Sequence, residues 1–298
     1  MSKFHDILLE SGTNELEIVE FTVNKNYFAI NVMKVREIVN PLQVTLVPQS
    51  HPHVEGIIEL RGEVLPVIDI AKVLGLDKGN DFNEGKFIVA EFNNQKVVFR
   101  VDNVTHIYRI SWEDIEKPSV MYQNNQSLII GVVKFDTRML LMLDYEKMIV
   151  DISPEVGFNV EDVQKLGVRE RSDKKIVIVE DSPLLRALLD STLKEAGYEN
   201  LTFFDNGKEA LTYLQGLKQQ VYDNVNLVIT DIEMPQMDGH HLTKRIREDN
   251  NMKNLPVIIF SSLITDDLRH KGEKVGATAQ VSKPEIGDLV KLIDKHIM

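Results

Sequence analysis

Residues 227–239 read LVITDIEMPQMDG. Leu227 to Thr230 make a short, largely apolar and β-branched run, the pattern of a strand buried on both faces. Such a strand delivers Asp231 to the edge of its sheet as it stops. The Met-Pro and Asp-Gly that follow bend the chain away. A carboxylate at that edge stands where open α/β sheets gather their chemistry, so its neighbours decide its use.

Working outward, residues from Lys174 onward alternate strand and helix. KKIVIVE (174–180), NLTFFD (200–205), NLVITD (226–231), PVIIFS (256–261) and ATAQVS (277–282) read as five strands. SPLLRALLDSTLKEAG opens with Ser182 as an N-cap and Pro183 in the first turn, and closes on Gly197, the usual helix punctuation. GKEALTYLQGL, GHHLTKRIRED, TDDLRHKGEKVG and IGDLVKLIDKHI supply four more helices. This grammar predicts one parallel sheet covered on both faces, over residues 173–298.

The strand ends then line up. The first brings Glu180 and Asp181, the third Asp231, the fourth Ser261 and Ser262, and the fifth Lys283 and Pro284. Three carboxylates packed together repel one another. An oxygen-only cluster of this kind suits a hard divalent cation such as Mg²⁺. With the metal present, one carboxylate can act as nucleophile toward a phosphoryl group while a lysine and a hydroxyl steady the transferring oxygens. Met234 and Met237 read as packing residues, and His240-His241 and the HPH at 51–53 as surface histidines.

These residues resemble the response-regulator receiver domain: Glu180-Asp181, Asp231 with IEMPQMDG behind it, Ser261, and SKP at 282–284. The resemblance implies a flavodoxin-like α/β fold with Asp231 as phospho-acceptor. It implies Mg²⁺ held by Glu180, Asp181, Asp231 and the main-chain carbonyl of Glu233, and a phosphoryl group sensed by Ser261 and Lys283. Many receivers carry a tyrosine or phenylalanine three residues before that lysine; this chain has Gln280. A haloacid-dehalogenase type of phosphotransferase also uses a strand-end aspartate. It would want a second aspartate two residues on, where Glu233 stands.

The first half reads differently. FAINV (28–32) alternates, and EGIIELRGEVLPVIDI (55–70) folds about Gly62. KFIVAEFNNQKVVFRV turns near Asn93-Asn94, and SLIIGVVKFDTRMLLMLD near Asp136. Short strands in such number predict an all-β domain over 14–150, with short helices at 32–39, 69–75 and 144–149. Residues 151–172 are mixed and polar and read as a linker with a short helix near 160–166. Trp112 is expected to pack or to meet a partner.

Composition sets bounds on both halves. The 298 residues suit two domains, and 43% hydrophobic with 27% charged is ordinary globular chemistry. No run nears the roughly 18 apolar residues of a membrane span, and MSKFHDILLESGTNELE has no signal-peptide core. Cysteine is absent, so neither a disulfide frame nor thiol chemistry is available. The net charge is −12, with 18 basic and 26 acidic residues up to position 172 and 16 and 20 after it. Neither half carries the cationic footprint of a nucleic-acid binder, which also disfavours a transcription regulator. A cytoplasmic protein without nucleic-acid or small-molecule ligands is expected.

VREIVNPLQVTLVPQSHPHVEGIIELRGEVLPVIDI, residues 35–70, resembles the CheW-type coupling domain. That resemblance implies a double β-barrel of two intertwined five-stranded barrels. It assigns receptor and kinase coupling to Glu37 and Arg61, with apolar surface at Val35 and Ile38. A CheW-like domain followed by a receiver is the arrangement of the CheV family. The implied role is a non-enzymatic adaptor between chemoreceptors and the histidine kinase CheA, associated with membrane receptor arrays and regulated at Asp231. A phosphate sink that drains CheA without changing coupling is the alternative. The last helix ends at residue 297 of 298, so the expected output runs back to the first domain or out to the array.

Overall fold

The computed structural model describes residues 14–76, 85–92, 95–118, 128–154, 171–262, 266–283 and 285–297. The Asn93-Asn94 turn, the proposed helix near 160–166 and Pro284 lie outside them. The chain divides into two compact units. Among the described residues, no helix is long and apolar enough to cross a membrane.

The first unit is β-rich, as its alternating pattern predicts. Its strands are β1 (Glu15–Val23), β2 (Asn26–Asn31), β3 (Val35–Val39), β4 (Val54–Leu60), β5 (Glu63–Asp69), β6 (Lys86–Phe92), β7 (Gln95–Val101), β8 (Asn103–Ser111), β9 (Ile115–Glu116), β10 (Ile129–Phe135) and β11 (Arg138–Leu143). They form a six-stranded sheet, β8-β1-β2-β11-β10-β9, and a five-stranded sheet, β3-β6-β7-β5-β4. The sixth strand is the two-residue β9, too short to leave a sequence pattern. Short helices α1 (Ile70–Val73) and α2 (Tyr145–Ile152) fall where expected, each opened by an aspartate cap, Asp69 and Asp144.

The shared core draws Phe21, Phe28 and Ile30 from one sheet and Ile88, Phe92 and Phe99 from the other. Tyr145 of α2 stacks on Phe92 and lies 5.3 Å from Phe99, and its hydroxyl donates to the Ala29 carbonyl at 2.9 Å. The helix expected at 32–39 is a correction. Only Val32–Lys34 makes a single 3₁₀ turn, capped by Asn31, and Val35–Val39 continues as a strand paired with β6. Its alternating burial and β-branched valines favour the pleated surface over a helix.

The second unit is the parallel sheet read from the sequence. Strands β12 (Ser172–Val179), β13 (Tyr198–Phe204), β14 (Leu227–Thr230), β15 (Val257–Ser261) and β16 (Ala279–Ser282) lie in the order β13-β12-β14-β15-β16. All four pairings are parallel, giving the 2-1-3-4-5 order of flavodoxin-like sheets. Helices α3 (Pro183–Glu195), α4 (Gly207–Leu217), α5 (Val221–Asn224), α6 (Gly239–Glu248), α7 (Asp266–Lys274) and α8 (Ile286–Ile297) connect and follow them. The one-turn α5 is additional to the expected set.

Strand alternation splits this unit into two cores. Ile176 and Ile178 pack with Leu189 and Leu193 of α3 and Leu289 and Ile293 of α8. Val177 and Val179 pack with Leu214 of α4 and Leu242 and Ile246 of α6. Met234 and Met237 join this second core, as expected. Helices therefore cover both faces, and every β-to-α loop leaves from one edge.

The loop after β14 is built tightly. The Thr230 hydroxyl donates to the Asp231 carbonyl at 2.9 Å, and the Gly239 amide donates to the Ile232 carbonyl at 3.0 Å. A Cβ on Gly239 would fall 1.9 Å from the Asp231 carbonyl oxygen, so the Asp-Gly pair is a packing requirement. Gly239→Ala should lower unfolding free energy by about 2 kcal/mol or more, as overpacking does. Urea unfolding with an unchanged midpoint would refute that account of Gly239.

Candidate functional site

Hydrogen bonds along the sheet carry the acidic residues to its edge. The Glu180 amide donates to the Phe204 carbonyl at 3.0 Å, and the Asp231 amide to the Val179 carbonyl at 2.9 Å. The Lys283 amide donates to the Ser261 carbonyl at 3.0 Å. Four separate strand ends are thereby fixed at one place. Glu180, Asp231, Ser261 and Lys283 are all buried there, and Asp181 is half-buried.

Lys283 lies at the centre with no solvent exposure. Its Nζ is 2.7 Å from Glu180 Oε2 and 2.9 Å from Asp231 Oδ2. The other Asp231 oxygen accepts from the Ile232 amide at 2.5 Å, and Glu180 Oε1 accepts from the Ser182 amide at 3.2 Å. Asp181 completes a trio whose ligand oxygens lie within 4.8 Å of one another. One ammonium against three carboxylates leaves an excess of two negative charges. Hard oxygen donors with that excess fit a divalent cation of the Mg²⁺ type.

The structure thus brings together Glu180, Asp181, Asp231 and Lys283. Ser261 lies at the adjoining strand end, and Glu233 stands in the loop two residues beyond Asp231. Gln280 donates to the main-chain carbonyl of Arg269 on α7 at 2.8 Å. The end of β13 escaped the sequence reading: Asp205, just past it, forms an ion pair with Arg186 of α3. The rule that located the other carboxylates, looking beyond each strand's last residue, would have found it.

His240 is a second correction. Expected at the surface, it is only 1% exposed, because the turn at Asp238-Gly239 starts α6 with its first residues facing inward. Burial lowers its pKa to about 4, against the partial opposing pull of Asp238 and of the Leu268 backbone. His51 and His53 are half-buried, and His51 Nδ1 accepts from the His53 amide at 3.2 Å in a local turn. Trp112 is buried, as packing requires.

In the first unit, the two coupling candidates meet. Arg61 Nη2 is 2.9 Å from Glu37 Oε2, with side-chain exposures of 78% and 28%. The register pairs Leu60 with Glu63, which places Arg61 and Gly62 as the two residues of a tight hairpin turn. Both have positive φ, 53° and 84°, as a type I′ turn demands. Glu37 and Arg61 border a cleft of about 400 Å³ with Leu60, Leu65 and Lys96. Ile38 is exposed, whereas Val35 is half-buried against the core.

The lowered pKa of His240 fixes the sign of a pH effect. Between pH 6.5 and 4 the unfolded chain binds a proton at this ring that the folded chain does not, so stability falls as pH drops through that window. The loss reaches roughly 3 kcal/mol at its lower end. Urea titrations at pH 7.5 and 4.5 should show a smaller difference for His240→Gln than for the wild type. Equal differences would place the ring in contact with solvent.

Family models and curated relatives agree with this architecture. A CheW-like domain model matches residues 17–153, and a response regulator receiver domain model matches residues 176–294. Chemotaxis protein CheV3 of Helicobacter pylori is 30% identical over 95% of this chain and 96% of its own length. CheV2 of the same organism is 30% identical over 91% and 90%. Chemotaxis protein CheW of Thermotoga maritima is 32% identical over 50% of this chain and 97% of its own length. A β-rich CheW-like domain, a receiver domain and two such full-length relatives place this chain in the CheV family of chemotaxis coupling proteins.

Proposed function

We propose that this protein links chemoreceptors to the histidine kinase CheA in the cytoplasm, and that phosphorylation of Asp231 adjusts the link. The observation that carries the reading is the buried contact of Lys283 with Glu180 and Asp231 at the loop-bearing edge of the parallel sheet. Residues 14–150 would do the coupling, 151–172 the connecting and 173–298 the phosphoryl chemistry.

Asp231 supplies the nucleophile. One carboxylate oxygen attacks the phosphorus of a kinase phosphohistidine, an O–P bond forms as the P–N bond breaks, and the imidazole leaves with a proton from solvent. Mg²⁺, held by Glu180, Asp181, Asp231 and the Glu233 main-chain carbonyl, would neutralise charge on the phosphoryl oxygens. Lys283 is already poised 2.9 Å from Asp231 and offers a fixed cation to one transferring oxygen. Ser261 offers a hydroxyl to another. Water attack on the same phosphorus later restores the carboxylate and releases phosphate.

Relatives named CheV and CheW support the coupling role. The Glu37–Arg61 pair, with Ile38 and the flank of Val35, forms the proposed contact surface. An exposed pair of this kind contributes under about 1 kcal/mol to folding. Arginine at positive φ is disfavoured by roughly 1 kcal/mol. Folding stability therefore does not account for Arg61, and recognition by a partner does.

Two experiments test the two halves. Asp231→Asn should take up no label from radiolabelled CheA, and kinase activity in receptor arrays should differ between phosphorylated wild type and this variant. Label on the variant sinks the acceptor assignment, while equal kinase activities reduce the receiver to a phosphate sink. Arg61→Asn fits the turn better and should hold or raise hairpin stability by up to about 1 kcal/mol. Its co-sedimentation with receptor arrays should nevertheless fall severalfold; unchanged pelleting removes Arg61 from the interface.

A further inference from the structure

The loop from Pro235 to Gly239 leads from the strand of Asp231 into α6, and its largely buried backbone groups need partners. Some are found close by. The Met237 amide donates to the Pro235 carbonyl at 2.8 Å, and the Gly207 amide to the Met237 carbonyl at 3.2 Å. Others are met from far away in the sequence. The Gln236 amide donates to the Trp112 carbonyl at 2.7 Å. The Asn14 carboxamide takes two more: its Nδ2 donates to the Gln236 carbonyl at 3.1 Å, and its Oδ1 accepts from the Asp238 amide at 3.1 Å. Asn14 and Ser111–Glu113 belong to the same compact unit as the parallel sheet.

Asn14 is itself held. Its main-chain carbonyl accepts from the Trp112 amide at 3.0 Å and from the Ser111 hydroxyl at 3.2 Å. It is buried, with φ at 55°, a left-handed conformation that asparagine tolerates better than most residues. Gln236 also has a positive φ, 66°, which its long side chain does not favour. The amide and carbonyl of that strained residue are the groups that Trp112 and Asn14 grip. A rigid carboxamide suits the task, because it carries a donor and an acceptor side by side. The gripped segment lies between Asp231 and Glu233 on one side and the α6 cap on the other, where Asp238 accepts from the His241 amide at 2.7 Å. Its position sets where the Glu233 main chain stands. Asn14 leads directly into β1, and Ser111 closes β8, so the grip is covalently continuous with both strands.

We propose that Asn14 is a positioning residue for the chemistry at Asp231, and that the Asn14–Trp112 turn clamps the loop in the arrangement that accepts Mg²⁺ and a phosphoryl group. This deepens the reading of Asp231 as phospho-acceptor and rests on it. Linkage is reciprocal, so a clamp that favours binding at the site is tightened when the site is filled. Trp112 is the single tryptophan of the chain, and its emission reports the state of the clamp.

Two titrations of the full chain test the clamp. Calorimetry with Mg²⁺ reads the site independently of phosphoryl transfer. Trp112 emission on adding Mg²⁺ and then phosphoramidate reads the clamp, while intact mass records phosphoryl uptake. Wild-type emission should change at each addition. Asn14→Ala should bind Mg²⁺ about tenfold more weakly, within the range that two net hydrogen bonds supply. It should also lose most of the emission change, with phosphoryl uptake recovering as Mg²⁺ is raised. Asn14→Asp keeps the acceptor for Asp238 but loses the donor to Gln236, and should fall between Asn14→Ala and wild type. Wild-type Mg²⁺ affinity and emission response in the Asn14 variants overturn the clamp, as does wild type that gains phosphoryl mass with unchanged emission. Wild type that binds no Mg²⁺ and gains no phosphoryl mass overturns the acceptor reading and the clamp together.

Discussion

Lys283 is an ammonium with no solvent exposure, and such a charge is sustainable only while carboxylates face it. Glu180 and Asp231 do so at 2.7 and 2.9 Å, and each comes from the end of a different strand. The contact therefore ties the sheet's strand order to the chemistry of its edge. Replacing Lys283 with an apolar residue would leave the two carboxylates buried against each other, a loss on the order of 3–5 kcal/mol for a broken buried pair. Well-packed hydrophobic side chains could stabilise the same edge as well or better. The charged arrangement is explained by what it can bind, and the two-charge excess over Lys283 and Asp181's position beside it point to a cation and a phosphoryl group.

Much of this was legible because it is local. Four strand ends carry their functional residues within one or two positions of the last apolar residue, and the helix caps Ser182 and Asp238 stand where their helices begin. What was not legible depends on contacts distant in sequence. Glu37 and Arg61 lie 24 residues apart, and no local pattern announces that they pair. Val35–Val39 has residues compatible with either period, and only its partner β6 decides for a strand. His240 sits on a polar-looking helix start, and its burial comes from the turn that aims the first residues of α6 inward. Asp205 was readable by the strand-end rule but stands apart from the carboxylate trio, held by Arg186.

The two units differ in how their charged groups are held. In the first, Arg100 with Glu55 is largely buried, but three other pairs on the five-stranded sheet and its turns reach solvent: Arg36 with Glu91, Arg61 with Glu37, Lys96 with Glu63. Each is screened by water and is worth little to the fold, so their pattern can change without unfolding the sheet. Such a surface is suited to choosing partners. In the second, Glu180, Asp231 and Lys283 are buried and mutually dependent, so their identities are fixed by one another.

The proposed phosphorylation of Asp231 would act through charge on the groups around it. A phosphoryl group on Asp231 would raise the local charge from −1 to about −1.5 to −2. At ~4 Å and an effective dielectric of ~20, one unit charge on Lys283 interacts with another by about 4 kcal/mol before desolvation is subtracted. A change of charge on Asp231 would therefore act first on Lys283, the group that already faces it.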